Sequence, residues 1–238
     1  MNYLLIPGNP PAVHFYELWK SEIESTNKDI LIQVSPYGDI LNGNDSFVQE
    51  LEILSHHQKQ LEKFQKNIGK PVTLLGHSLG GFVALKLFEK CPDLIKEVIL
   101  LHPFLRQPEV KGRLILKTVA ALSKIDLIPK TLINNRHVLE RFSTELPFVS
   151  NDEMKLSFKI AHYESESILK DQSPIHFDHL DKSKIKVYYH SQDIWCPSNV
   201  MAQLKDQIHS IECLEPHGFI TEKKYRESLW RKISGENL

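Results

Sequence analysis

The sequence predicts an α/β fold: a mostly parallel sheet flanked by helices, with a helical cap inserted between a strand near 98–101 and a strand near 185–189. Three observations carry this expectation. Short apolar runs bounded by Pro and Gly alternate with stretches of helical spacing. That alternation stops between Pro103 and about Lys182 and then resumes. A Gly-x-Ser-x-Gly run stands where one strand gives way to a helix. Strict alternation calls for a parallel sheet, because parallel strands need crossover connections, and these are right-handed.

The chain opens with a strand from Tyr3 to Ile6, stopped by Pro7-Gly8-Asn9-Pro10-Pro11. Phe15, Leu18, Trp19 and Ile23 recur at helical spacing up to about Thr26, and Ile30 to Val34 reads as the second strand. Asn44-Asp45-Ser46 is a cap signal for a long helix with Phe47, Leu51, Ile53, Leu54, Leu61 and Phe64 on its apolar positions. Pro71 to Leu75 is the next strand, Phe82 to Lys90 an apolar helix, and Val98 to Leu101 another buried strand. After the gap, Ile185 to Tyr189, Val200 to Ile208, Ile211 to Leu214 and Tyr225 to Ile233 read as strand, helix, strand, helix. Residues 1–102 and 183–238 are thus expected to form one core domain, with 103–182 as a cap or lid. No internal repeat or low-complexity tract interrupts the chain.

Composition narrows the function classes. With 238 residues, 41% hydrophobic and 25% charged, the chain can bury a sizeable core and is not of the disordered type. Its 29 Lys and Arg balance 30 Asp and Glu, so no global field steers it to nucleic acid and no such partner is expected. Cys91, Cys196 and Cys213 are odd in number and follow no ligand spacing, which reads as reduced thiols and a cytoplasmic setting. Met1 to Pro7 lacks a basic leader, and no stretch reaches the roughly 18 to 20 apolar residues of a spanning helix. Neither cofactor nor metal is expected: His176-Phe177-Asp178-His179 has ligand-type side chains but reads as a loop entering the next strand.

The chemistry centres on Gly76-His77-Ser78-Leu79-Gly80, followed by Gly81. A nucleophile elbow drives Ser into a sharp, strained turn, and its flanking glycines let neighbouring backbone approach where a Cβ would clash. An ordinary glycine-rich turn could carry the same pattern, but the strand before and the helix after assign Gly76, His77 and Gly80 to an elbow around Ser78. A serine hydroxyl is a poor nucleophile at neutral pH; it needs an imidazole to take its proton and a carboxylate to hold that imidazole's tautomer. The order in such folds is Ser, acid, His. Asp193 lies just past the strand ending at Tyr189, and His217 alone among 12 histidines lies in the loop after the last strand. Asp178 and Asp181 are rival acids, but they precede their strand and fall at its wrong end. Backbone N–H groups of Leu79 and Asn9 are the candidate oxyanion donors, since Pro10 and Pro11 have none. A rigid turn without a ligand role is the alternative reading of Pro7 to Pro11. Together these residues imply the α/β-hydrolase fold and a serine hydrolase that cleaves a carboxylic ester through an acyl-enzyme.

Leu5-Ile6-Pro7-Gly8-Asn9-Pro10, Phe15-Tyr16, the elbow, Asp193-Ile194-Trp195-Cys196-Pro197 and His217-Gly218-Phe219 together resemble the lipid droplet-associated hydrolase family over nearly the whole chain. The elbow is common to all α/β hydrolases, whereas the opening and the acid loop are more specific to this group. The resemblance implies a triad of Ser78, Asp193 and His217 and a substrate among sterol or other neutral lipid esters. Pro11 stands where family members commonly have Gly, a difference expected to reshape the mouth of the acyl pocket.

Within the cap, Lys111 to Arg136 interleaves Leu114, Ile115, Leu116, Val119 and further apolar residues with Lys and Arg against the single acid Asp126. Such a stripe suits a membrane interface, and the resemblance links this part of the chain to lipid surfaces. Packing of a cap helix over the active site explains it equally well. Ser157, Ser165 and Ser167 are expected to be solvated. Two rivals to the esterase remain: a non-catalytic hydrolase-like protein that binds a lipid or membrane surface, and a thioesterase or acyltransferase using the same triad.

Overall fold

The computed structural model describes residues 1–37, 50–105, 108–123, 151–170 and 177–235. In it, β1 (Asn2–Ile6), β2 (Leu31–Val34), β3 (Val72–His77), β4 (Ile95–Leu101), β5 (Ile185–Tyr189) and β6 (His209–Glu212) form one six-stranded sheet in the order β2-β1-β3-β4-β5-β6. Every pairing is parallel. The chain winds outward in one direction through β2 and in the other through β3 to β6, so the topological switch lies between β1 and β3. Ligands of open α/β sheets bind at the carboxyl ends of the strands at that switch. Here those ends lead into Gly8-Asn9 and Ser78.

Helices cover both faces: α1 (Val13–Thr26), α2 (Glu50–Ile68), α3 (Leu79–Lys90), α6 (Ser198–Leu204) and α7 (Lys223–Ser234), with α4 (Val110–Ser123) and α5 (Asn151–Tyr163) between β4 and β5. Side chains alternate across each strand. Leu4, Ile6, Leu74, Val98 and Leu100 meet Ile53, Leu61 and Phe64 of α2 and Val83 and Leu87 of α3 on one face. Tyr3, Leu5, Leu75, Ile99 and Leu101 meet Tyr16, Trp19 and Ile23 of α1 and Leu229 and Trp230 of α7 on the other. Burying each large apolar side chain contributes about 1.5 to 3 kcal/mol. On the second face Trp19 stands edge-on to Phe219 and Trp230, with ring centroids 5.4 and 6.2 Å away, and its Nε1 donates to the Arg226 carbonyl. Buried Arg226 in turn grips Glu22 of α1 through Nε and Nη2 at 2.8 and 2.6 Å.

Element boundaries differ from expectation in instructive places. The last strand is His209–Glu212 rather than Ile211 to Leu214, because pairing with β5 starts at Lys186 and His209 and ends at Tyr189 and Glu212. It is an edge strand, so polar side chains are tolerated, and Leu214 lies beyond it, 85% exposed. The helix expected to reach Ile208 stops at Leu204, and α3 begins at Leu79, directly after Ser78, rather than at Phe82. The cap signal Asn44-Asp45-Ser46, with Phe47, lies outside the described residues.

Between β4 and β5 the described residues form α4, α5, a π-helical turn, Glu164–Ile168, and a short 3-10 turn, Lys182–Lys184, and no strand. Leu116, Leu156, Ile160 and Ala161 of this helical insertion are buried in the same cluster as Leu100 and Phe104. The insertion therefore extends the core of the sheet and has no separate core among the described residues.

Candidate active site

Ser78 occupies the turn from β3 to α3 with φ 53° and ψ −119°, a region that L-residues avoid. Local packing enforces it. The Ser78 N–H donates to the Leu101 carbonyl, and the Ser78 carbonyl accepts from Gly81 and Phe104. A Cβ at Gly80 would stand 2.1 Å from the Ile6 carbonyl oxygen, and one at Gly76 would stand 2.5 Å from that of Gly80. Both clashes are with backbone, so only glycine lets β1, β3 and α3 converge this closely.

Two loops bring polar side chains to Ser78. After β5, the buried Asp193 accepts the Trp195 N–H at 2.8 Å through Oδ1, and its Oδ2 lies 2.8 Å from His217 Nδ1. After β6, His217 presents Nε2 3.0 Å from Ser78 Oγ. Since a carboxylate only accepts, Nδ1 carries the proton, and Nε2 is left to accept from the serine hydroxyl. Burial alone would raise the Asp193 carboxyl. Electrostatic attraction to the His217 ring, the His102 ring nearby, and the His217 and Trp195 hydrogen bonds instead hold it well below the usual carboxylate range. This series is the geometry of a serine-hydrolase triad at a nucleophile elbow.

His77 ties the surrounding loops together. Its Nε2 lies 2.9 Å from the His217 carbonyl, which can only accept, so His77 Nδ1 must accept from the Tyr16 hydroxyl at 2.6 Å. Tyr16 Oη in turn accepts the Gly8 N–H at 3.0 Å. Burial and the neighbouring His217 and His102 lower the His77 pKa well below its usual value, consistent with this neutral tautomer. A chain of hydrogen bonds thus runs from the Gly8 backbone through two side chains to the His217 backbone.

Asn9 follows Gly8, where an added Cβ would stand 2.8 Å from Ser78 Cβ, so this loop packs directly on the nucleophile. Leu79 opens α3, where the first N–H groups of a helix lack intrahelical partners. A cavity of about 670 Å³ lies above these residues, walled by Phe104, Ile115, Leu116, Val119 and Trp195 and touched by Asn9 and Glu164. Pro10 lines it, whereas Pro11 does not. The rival acids are placed elsewhere: Asp178 is exposed and pairs with Lys182, and Asp181 caps the turn Lys182–Lys184.

Sequence reading gave four residues of this region no role in the site. Tyr16 sits one position from the residue that carried the apolar pattern, Phe15. His102, fully buried with φ 44°, directly follows β4, and its Nδ1 lies 3.6 Å from Asp193 Oδ2; the carboxyl end of a sheet strand was the available signal. Ser157 is not simply solvated, because its Oγ donates to Asn9 Oδ1 at 2.7 Å, and Glu164 accepts from Asn9 Nδ2. Ser165 is buried as well, and Ser167 is exposed as expected.

Residues 1–226 match the family described as lipid-droplet associated hydrolase. The chain belongs to that family. No curated protein matches this lipid-droplet associated hydrolase family member. Among solved structures it is similar to a lipase-esterase related protein from Clostridium acetobutylicum, at 11% identity and a TM-score of 0.64 over 98% of this chain and 93% of that one. A carboxylesterase structure from Nitrososphaera gargenis gives 13% identity and a TM-score of 0.64, covering 98% and 89%. A thioesterase domain from the curacin biosynthetic pathway gives 14% and 0.60, covering 98% and 90%. At these identities the likeness is one of fold. The fold, the family and the triad geometry together make this chain a serine hydrolase of the esterase and lipase type.

Proposed function

We propose that Ser78 attacks the carbonyl of a hydrophobic carboxylic ester, His217 takes the hydroxyl proton and returns it to the leaving alcohol, and Asp193 stabilises the imidazolium. Water then hydrolyses the acyl-enzyme. The backbone N–H groups of Asn9 and Leu79 receive the oxyanion, worth about 3 to 4 kcal/mol of barrier for each donor. Residues 103–182 act as the cap over this site. One observation carries the reading: the hydrogen-bonded series Ser78, His217, Asp193 opens into a cavity walled mainly by apolar side chains. Family membership supports a lipid ester as substrate. The test is covalent labelling of Ser78 by a fluorophosphonate, together with turnover of p-nitrophenyl esters of increasing acyl length. Both vanish in Ser78→Ala under this proposal; undiminished turnover in that variant refutes it.

Contact with a lipid surface is the second part of the proposal. Among the described residues no helix is long and apolar enough to cross a membrane. On α4, Val110 and Leu114 are 82% and 66% exposed, while Lys111 and Ile115 of the same helix line the cavity. Exposed apolar side chains flanked by Lys111, Arg113 and Lys117 at a pocket rim suit a monolayer or membrane interface. The rest of the stripe, 124–136, lies outside the described residues. Liposome co-sedimentation checks this: Val110→Asp with Leu114→Asp should abolish binding and spare turnover of a soluble short ester. Binding that survives in the double variant rejects α4 as the contact. Thioester hydrolysis uses the same residues, and the likeness to a thioesterase domain keeps it as the second reading; acyl thioesters in the same screen distinguish it.

A further inference from the structure

Asn9 is held from the cap. Its side-chain Oδ1 accepts from Ser157 Oγ at 2.7 Å, and its Nδ2 donates to Glu164 Oε2 at 2.7 Å and to the Ser157 carbonyl at 3.3 Å. Both polar atoms of the amide are therefore engaged by α5 and the π-helical turn that continues it, and neither is engaged by the sheet. The opposite end of α5 grips the same segment, since Glu153 Oε1 accepts the Val13 N–H at 3.2 Å where α1 begins. Glu164 is only 5% exposed. Its burial lifts the carboxyl to about 7, with the Asn9 hydrogen bond and the charge of His217 pulling the other way. An apolar side chain would fill this place without that desolvation penalty, so packing alone does not account for a carboxyl here. π-Helical turns also concentrate at functional sites.

We propose that Ser157 and Glu164 are positioning residues that hold Asn9 so that its backbone N–H faces the developing oxyanion, which makes the oxyanion hole complete only while α5 and the following turn are seated on the loop 7–11. This rests on the reading of Asn9 as an oxyanion donor given above. The side chain of Asn9 is then a handle and its backbone the working group. Turnover is coupled to cap seating, because a cap lifted to admit substrate releases the handle and a cap closed over the ester restores it.

The design of the side chain gives a clean test, because Asn9→Ala keeps the N–H and removes only the handle. Full-length Asn9→Ala, Ser157→Ala, Glu164→Ala, Glu164→Gln and Asn9→Ala/Glu164→Ala are compared on a short p-nitrophenyl ester, with urea midpoints to follow the fold. Misplacing a catalytic group by an ångström costs on the order of 100-fold, so Asn9→Ala and Glu164→Ala should each lower kcat by about 10- to 100-fold with little change in KM. Glu164→Gln still offers an oxygen to Asn9 Nδ2 and should recover most of the loss. The double variant should be no worse than Asn9→Ala alone, since Glu164 acts through Asn9. If Glu164→Ala unfolds, Glu164→Asp retracts the carboxylate by one methylene and should show the same kcat loss. Multiplying losses in the double variant, no recovery with Gln, or an effect confined to KM overturns the inference while leaving the hydrolase reading intact. A wild-type chain that neither hydrolyses esters nor reacts with a fluorophosphonate overturns both.

Discussion

Tyr16→Phe removes one oxygen from the hydrogen-bond chain beneath Ser78 and leaves the ring in place. Tyr16 is 1% exposed, and burial raises its phenol, so it is a neutral hydroxyl with two partners: it accepts from the Gly8 N–H at 3.0 Å and donates to His77 Nδ1 at 2.6 Å. Without it both partners stay buried and unpaired, because His77 cannot turn while Nε2 holds the His217 carbonyl. Each stranded group costs about 1 to 3 kcal/mol, so the pair costs about 2 to 6 kcal/mol, with no cavity contribution since the ring remains. For a domain of this size 1 kcal/mol shifts Tm by about 2 to 4 °C, and the expected fall is about 5 to 20 °C. Thermal and urea unfolding read the stability, and kcat on a soluble ester reads the site, which should lose activity as Gly8 and His217 drift apart. Tyr3→Phe is the control: the same atom is removed from a hydroxyl whose hydrogen-bond partner among the described residues is the Met1 thioether at 3.4 Å, and the change should stay within about 1 kcal/mol. A Tyr16→Phe protein no less stable than that control, with unchanged kcat, refutes the idea that this chain holds the two loops.

Three further outcomes follow. Asp193→Asn should lower kcat by about 10,000-fold with the fold intact, because an amide can pair with the wrong His217 tautomer; steady-state kinetics on a p-nitrophenyl ester checks it, and a loss below tenfold would remove Asp193 from the triad. Arg226→Ala breaks a guanidinium held by Glu22 at 2.8 and 2.6 Å and by the Ile220 carbonyl at 2.9 Å, stranding Glu22 against α7, and should cost about 3 kcal/mol or more by urea midpoint. Glu164→Gln should change the pH dependence of stability. The native protein keeps its Glu164 proton up to about 7, whereas the unfolded chain releases it near 4.5, so the native state binds more protons in that window and its stability falls as pH rises through it. At about 1.4 kcal/mol per pH unit, the variant should gain about 3 kcal/mol on wild type between the two values and hold that gain above them. Parallel stability curves for the two proteins would rule this out.

The sheet was legible because its strands are buried on both faces and read as continuous apolar runs: all six positions of β3 are buried. The elbow was legible because glycine and serine at those spacings meet a backbone requirement that sequence shows directly. Asp193 and His217 could be named from order alone, since the fold fixes which loops reach Ser78, and the structure brings His217 within hydrogen-bonding distance of both Ser78 and Asp193. What stayed hidden depends on contacts between distant segments. Nothing local in Ser157 or Glu164 announces Asn9, and Tyr16 looks like one more aromatic in α1 until His77 lies opposite it. β6 was displaced by two residues because its register comes from β5, and a short edge strand with polar side chains offers no alternation to read.

These contacts divide the site into a half fixed to the sheet and its flanking helices and a half built from the helical insertion. On the fixed side, Gly8, His77 and His217 are joined by the Tyr16 relay, and buried Glu215 takes Lys232 Nζ and Ser228 Oγ, anchoring the His217 loop to α7. A triad held this way needs little reorganisation as charge develops, the condition under which fixed dipoles lower a barrier most. The other wall, α4, α5 and the turn after it, holds the Asn9 side chain, reaches α1 through Glu153, and packs in one cluster with Phe104, whose N–H donates to the Ser78 carbonyl. The residue at that hydrogen-bonded seam is the proposed oxyanion donor. An enzyme built so would keep its proton relay assembled in the empty state and complete its electrostatic stabilisation upon closure, placing selectivity for well-seated esters in kcat rather than in binding.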